Sequence, residues 1–276
     1  MNDWTAVRII ARQTRSRLLS SVRMKIMFPI LVLFIPGLAW GFSDPQVVLP
    51  GGFTPNSSME AMYYASLGVI FGATMAAVLL SFDGVSRERA SGMLEIRLAQ
   101  PIDRIIHSRG LMLGHWSAIA YPVWLLQALS VVLIRIRMGE WLTGSELLVT
   151  FLATGMLVWW YTVFALLSSS VTKDVGTSIA FGVGIWFFFT FLWALVTSMV
   201  AYASGVPVGE ANNASWVQLE GLLDLLSPNG VFHHMLETQL ESVDRGIPTL
   251  VTCIAATLWS LVPMKIMNQR MEVLIP

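Results

Sequence analysis

Residues 179–200 read IAFGVGIWFFFTFLWALVTSMV, a run without one charged side chain. Roughly 20 apolar residues carry a helix across the hydrocarbon core of a bilayer, where every backbone N–H and C=O has to be satisfied within the protein. A chain built around such a run does not fold as an ordinary soluble domain. Composition agrees: 55% of the 276 residues are hydrophobic, 12% are charged, and the mean hydropathy is +0.67. The same ruler predicts six spans, at 26–42, 62–82, 110–134, 147–169, 175–202 and 247–264. The expected fold is therefore an all-α integral membrane protein with one transmembrane domain over 1–276. Pro29, Pro36 and Gly37 predict a kink in the short first span.

A net charge of zero gives no global field to attract nucleic acid or an acidic partner, so any charge argument rests on placement. Arg8, Arg12, Arg15, Arg17, Arg23 and Lys25 precede or open the first span against a single acid, Asp3. Trp4, Val7, Ala11 and Leu18 share one helical face, which predicts an amphipathic helix over 1–25 lying in the plane of an anionic leaflet. A generic basic anchor is the plainer reading. A secretory leader is disfavoured, because no small-x-small cleavage site follows. With the N-terminus cytoplasmic, 14 of the 17 basic residues fall inside, while Arg135, Arg137 and Arg245 stay outside among most of the acids. The expectation is a multi-pass protein of the cell membrane with both termini cytoplasmic. The single cysteine, Cys253, excludes an intramolecular disulfide and a cysteine metal cluster.

Between the second and third spans lies the charged loop 83–109. Glu88, Ser91 and Glu95 recur at helical spacing with Leu94 and Leu98 beside them, among Arg87, Arg89 and Arg97. A helix over 87–99 follows, bent at Gly92 at a cost of about 1 kcal/mol and stopped by Pro101. It is either a solvated loop helix or a docking element. The outer loop 203–246 predicts two amphipathic or re-entrant helices, 216–226 and 231–243, divided by Ser227-Pro228-Asn229. In it His233, Glu237 and Glu241 step by i, i+4 with His234 adjacent, a metal-ligand spacing or the polar face of a helix. A metal there would make the chain a metal-dependent enzyme or accessory factor. Trp159, Trp160 and Thr162 stand mid-span, lining a substrate path or packing. Small residues recur at Gly68, Gly72 and Ala76 and again at Gly176, Ala180 and Gly184, so one of these faces is expected to be a helix contact. Asn56 and Asn213 open glycosylation sequons on the outer side.

Glu88-Arg89-Ala90-Ser91-Gly92-Met93-Leu94-Glu95, continuing to Leu98, Pro101 and Arg104, resembles the segment between the second and third spans of type-2 ABC transporter permeases. Leu225-Leu226-Ser227-Pro228-Asn229-Gly230-Val231-Phe232 resembles the segment before the last span in the subgroup that includes the nitrous-oxide-reductase maturation permease. His233 and His234 depart from the common pattern. The resemblance implies a homodimeric permease, an exporter of apolar or amphiphilic cargo, seated on two separate ATPase subunits that bind ATP and Mg. It also implies that 87–99 is the coupling helix, with Arg87, Glu88, Ser91, Gly92, Leu94, Glu95 and Leu98 at the ATPase contact. The chain itself carries no G-x-x-x-x-G-K-[ST] phosphate loop and no expected cofactor, so it is not read as an enzyme.

Overall fold

The computed structural model describes residues 3–44, 46–48, 54–98, 103–209, 213–240, 243 and 245–274. Among these there are helices and connecting turns but no strands. The chain opens with α1 (Asp3–Leu19) and α2 (Val22–Phe42), joined at Ser21, whose hydroxyl caps Met24 N. The second span is assembled from α3 (Ser58–Ala65), a π turn (Val69–Ala73) and α4 (Thr74–Ser81), and runs on through a tight turn into α5 (Ser86–Ala90). Then follow α6 (Met93–Leu98), α7 (Arg104–Met138) and α8 (Gly144–Val171). The fifth span is α9 (Val175–Phe187), a second π turn (Phe188–Leu192) and α10 (Trp193–Ala203). Two short helices, α11 (Ala214–Asp224) and α12 (Pro228–Glu237), precede the last span, α13 (Thr249–Glu272).

Among the described residues six helical segments are long and apolar enough to cross a membrane, in the expected order. Most of their ends reach further than the apolar ruler. The third, α7, has 35 residues and is about 50 Å long at 1.5 Å per residue, because Asp103 caps it well before the apolar part begins. The predicted helix 231–243 is displaced: α12 starts earlier, at Pro228, because Ser227 caps Gly230 N and proline suits the first helical position, and it ends at Glu237. The second span likewise begins before its predicted start at 62, because α3 starts at Ser58, capped by Ser57. The single helix expected over 87–99 is two helices. Gly92 adopts φ +71°, a left-handed conformation open to glycine, and splits α5 from α6. The stop assigned to Pro101 lies outside the described residues.

Glycines decide where the helices approach. A methyl group at Gly110 would lie 2.7 Å from Ile10 Cβ, and one at Gly114 would lie 2.6 Å from Thr14 Cβ. These two glycines, four residues apart, form the trough in which α1 runs along the start of α7. Gly68 leaves no room for a side chain against Phe34 O, so α2 nests on the second span. The main core gathers Leu31, Ile119, Leu157, Trp160 and Tyr161, while a second cluster joins Val85, Leu94, Leu111, Leu166, Met267 and Met271.

Candidate functional site

On the face that carries α1, here the near face, several elements converge on Asp83. Residues 82–85 turn the chain out of the second span, leaving Asp83 with 9% of its side chain exposed. Arg23 at the start of α2 donates to both of its oxygens, at 2.8 Å each, the paired geometry that suits a planar guanidinium. Arg87, one turn on, forms a second ion pair at 2.5 Å. Ser169 of α8 accepts from Val85 N and Ser86 N at 3.0 and 2.9 Å, and Arg89 donates to Thr172 O at 2.8 Å, which fastens α5 to the end of α8. Arg104 donates to Glu272 O and Leu274 O, bringing the end of α13 to the same face.

The split at Gly92 separates the residues expected to share one contact surface. Glu88 is buried and lies 3.8 Å from Arg17 of α1. Glu95 is exposed, as are Ser91 and Gly92, and Arg87 exposes 62% of its side chain. Glu88 and Glu95 therefore do not form a common outward face; the helical wheel that joined them assumed an unbroken helix. Leu94 is 1% exposed and sits in the second core cluster with Met267 and Met271 of the last span. Met93 and Ile96 instead turn outward, at 46% and 59% exposure. The contact expected of the Leu98 side chain lies outside the described residues.

On the opposite, far face the charges are inverted. Arg245 stands among three acids, 2.8 Å from Glu237, 3.1 Å from Glu220 and 3.7 Å from Asp224. Glu237 also accepts from the Tyr63 hydroxyl at 3.0 Å and lies 3.1 Å from His234 Nδ1, whose Nε2 meets Gly221 O. This clasp binds α11 and α12 to the second span. Burial opposes ionisation of Glu237, but the His234 hydrogen bond and the Arg245 charge outweigh it and hold the carboxyl down at about 2. Burial dominates at Asp224 and lifts it to about 6, and burial lowers His233 to about 4.

In that arrangement the described side chains of this cluster turn to partners other than one shared ion. His233 and His234 do not converge: His233 packs its ring on Tyr63, with centroids 5.5 Å apart, while His234 turns to Gly221. A guanidinium occupies the position a cation would need. Among the described residues no group of three His, Cys, Asp or Glu is placed to hold a metal, and Glu241 lies outside them.

The other expected residues divide as follows. Trp160 and Thr162 are fully buried, and Trp160 Nε1 donates to Ser260 Oγ at 2.8 Å. Trp159 joins Trp116 and Trp124 around an open groove of about 340 Å³. Asn229 makes sense of the Ser-Pro-Asn sequence. It accepts from Tyr161 at 2.9 Å and donates to Phe189 O at 3.2 Å, a carbonyl within the second π turn. Asn56 is exposed, and Asn213 caps α11 with its side-chain oxygen. Of the two rows of small residues, Gly68 and Gly72 meet α2, whereas Gly176, Ala180 and Gly184 are exposed and nothing lies against Gly184.

Asp83 and Arg245 went unselected in the sequence, although an acid directly after an apolar run and a cation isolated on the acidic side were legible signals. The Gly110/Gly114 pair at helix-packing spacing was a third. A family model described as ABC-2 family transporter protein matches residues 13–267, nearly the whole chain. No curated protein matches it.

Proposed function

We propose, because this chain belongs to the ABC-2 family of transporter proteins, that its near face is where ATP hydrolysis in partner subunits is converted into movement of the membrane helices. The chain is a multi-pass membrane permease subunit of an ABC transporter, a non-catalytic part that works with ABC ATPase subunits in a bilayer. In our reading two copies associate, each on one ATPase, in the cell membrane with both termini cytoplasmic. The placement of basic residues supports that orientation. The fifth span supports the pairing: only 11% of its apolar stretch is buried within the chain, against 78% for the second.

One observation carries the coupling assignment: α6 presents Met93, Glu95 and Ile96 outward while Leu94 anchors it to the last span. A push on α6 is thereby delivered to α7, α8 and α13. Arg87, Ser91 and Gly92 complete the contact surface, and Glu88 serves from behind by fixing α5 to α1. The scarcity of charge within the spans supports export of an apolar or amphiphilic substrate. The capped Ser227-Pro228-Asn229 turn supports placement beside the subgroup of the nitrous-oxide-reductase maturation permease.

The test is co-purification with the ATPase, with the mass of the complex measured. The native chain is expected to give two permeases with two ATPases. Glu95→Arg combined with Ile96→Asp is expected to release the ATPases and leave the permease pair. Retention of the ATPases in that variant overturns the coupling assignment, and a single permease per complex overturns the pairing.

A further inference from the structure

Beside Asp83 lies a cavity of about 160 Å³ enclosed by α1, the start of α2, the turn 82–85, α5 and α7. Its charged walls are Arg17, Arg23 and Arg87 against Asp83 and Glu88. Three arginines against two carboxylates leave one positive charge in excess. Asp83 is already taken up by Arg23 and Arg87, and the Arg17–Glu88 pair is long at 3.8 Å. The uncharged wall holds a stronger sign. His115 is 1% exposed, its Nδ1 lies 3.1 Å from Ser81 Oγ, and its Nε2 has no partner. A buried polar atom facing a cavity with charged side chains in its walls calls for an occupant, since leaving its hydrogen bond unmade costs about 1–3 kcal/mol. In the tautomer in which Nδ1 accepts from the Ser81 hydroxyl, Nε2 carries the proton and is a donor.

We propose that this cavity binds the phosphodiester group of an anionic phospholipid from the leaflet on the near face. A phosphodiester carries one negative charge, matching the excess, and its oxygens are acceptors for guanidinium forks and for His115 Nε2. The mouth is open, because Arg17 and Arg87 expose 55% and 62% of their side chains. A lipid, unlike free phosphate, also brings acyl chains. Val22 and Ile26 at the foot of α2 are 69% and 60% exposed, apolar surface for those chains within a membrane-spanning helix. The bound phosphate joins Arg17 of α1 to Arg87 of α5, so lipid composition sets how firmly α5 is tied to α1. This goes beyond the transport reading and stands or falls separately from it.

The experiment measures binding of short-chain phosphatidylglycerol to delipidated full-length protein by native mass spectrometry, with short-chain phosphatidylcholine and inorganic phosphate as the other arms. Phosphatidylglycerol is expected to bind and phosphate at equal concentration is not. Arg17→Gln with Arg87→Gln is expected to weaken phosphatidylglycerol about tenfold, as loss of two charge-assisted contacts implies. Arg8→Gln with Arg15→Gln, the same charge removed from α1 outside the cavity, is expected to change it less than about twofold. Arg17→Gln alone, at an exposed side chain, keeps the test available if the double variant does not fold. Equal losses in both double variants, equal binding of phosphatidylcholine, or phosphate binding that depends on Arg17 each overturn the proposal.

Discussion

The two faces of the molecule solve one problem with opposite charges. On the near face an acid, Asp83, stands between two arginines; on the far face an arginine, Arg245, stands among three acids. Their burial differs too. Arg23 and Arg87 expose 33% and 62% of their side chains, whereas Glu237 exposes 6% and Arg245 19%. An ion pair whose cations reach water can be exchanged for hydration at little cost, while one enclosed on both sides is expensive to open. The far face is built as a fixed clasp and the near face as a joint that can be remade during a transport cycle.

The largest way to break this contrast is Arg245→Ala. It leaves Glu237 enclosed without its guanidinium, and the expected loss is about 3 kcal/mol of stability, measured by thermal unfolding in detergent. Asp83→Asn on the near face is expected to cost only about 1 kcal/mol, because the released arginines turn to water. Its effect belongs in coupling: stimulation of the ATPase by cargo is expected to fall although the complex still assembles. If Asp83→Asn destabilises as much as Arg245→Ala, the distinction between joint and clasp fails.

The finest probe is pH. Glu237, held at about 2, contributes stability present above its ordinary 4.5 and lost as pH falls through about 2. Neutral His233, lowered to about 4 from 6.5, likewise contributes stability that is lost as pH falls from 6.5 through 4. Asp224 has the opposite sign. Raised to about 6 from 3.8, it contributes stability complete below 3.8 and lost as pH rises through 6. Between pH 7 and 5 the His233 loss and the Asp224 gain act against each other. Asp224→Asn removes the gain, so its melting temperature is expected to fall more steeply than that of the native chain between pH 7 and 5; an unchanged profile in that variant rules out the assigned role of Asp224.

The spans were legible because apolar length is a one-dimensional signal, readable without knowing what lies opposite. The break at Ser227 and Pro228 was legible too, because both act on their own chain neighbours, although the helix starts at Pro228 and not at the expected 231. What the sequence could not convey is pairing over distance. Arg23 meets Asp83 across 60 residues and Tyr63 meets Glu237 across 174, while helical periodicity speaks only for neighbours within a turn or two. Glu88 was misplaced for a related reason. Its spacing to Glu95 is correct for a continuous helix, and one left-handed glycine between them rotates the second part away. The small-residue rows show the same limit, since Gly68 and Gly184 sit in similar patterns and only the former meets a neighbour.

The π turn at Phe188–Leu192 has a geometric consequence for the fifth span. A wide turn accommodates one residue more than an α turn, and each residue of an α-helix advances about 100° around the axis. Trp193–Ala203 is thus indexed about a quarter turn away from where an uninterrupted helix would aim it, with Asn229 wedged at the dislocation. The azimuth of the whole far half of the span is set by a single inserted residue, so the chain's length at this point, more than the chemistry of any one side chain, governs which residues of α10 look outward.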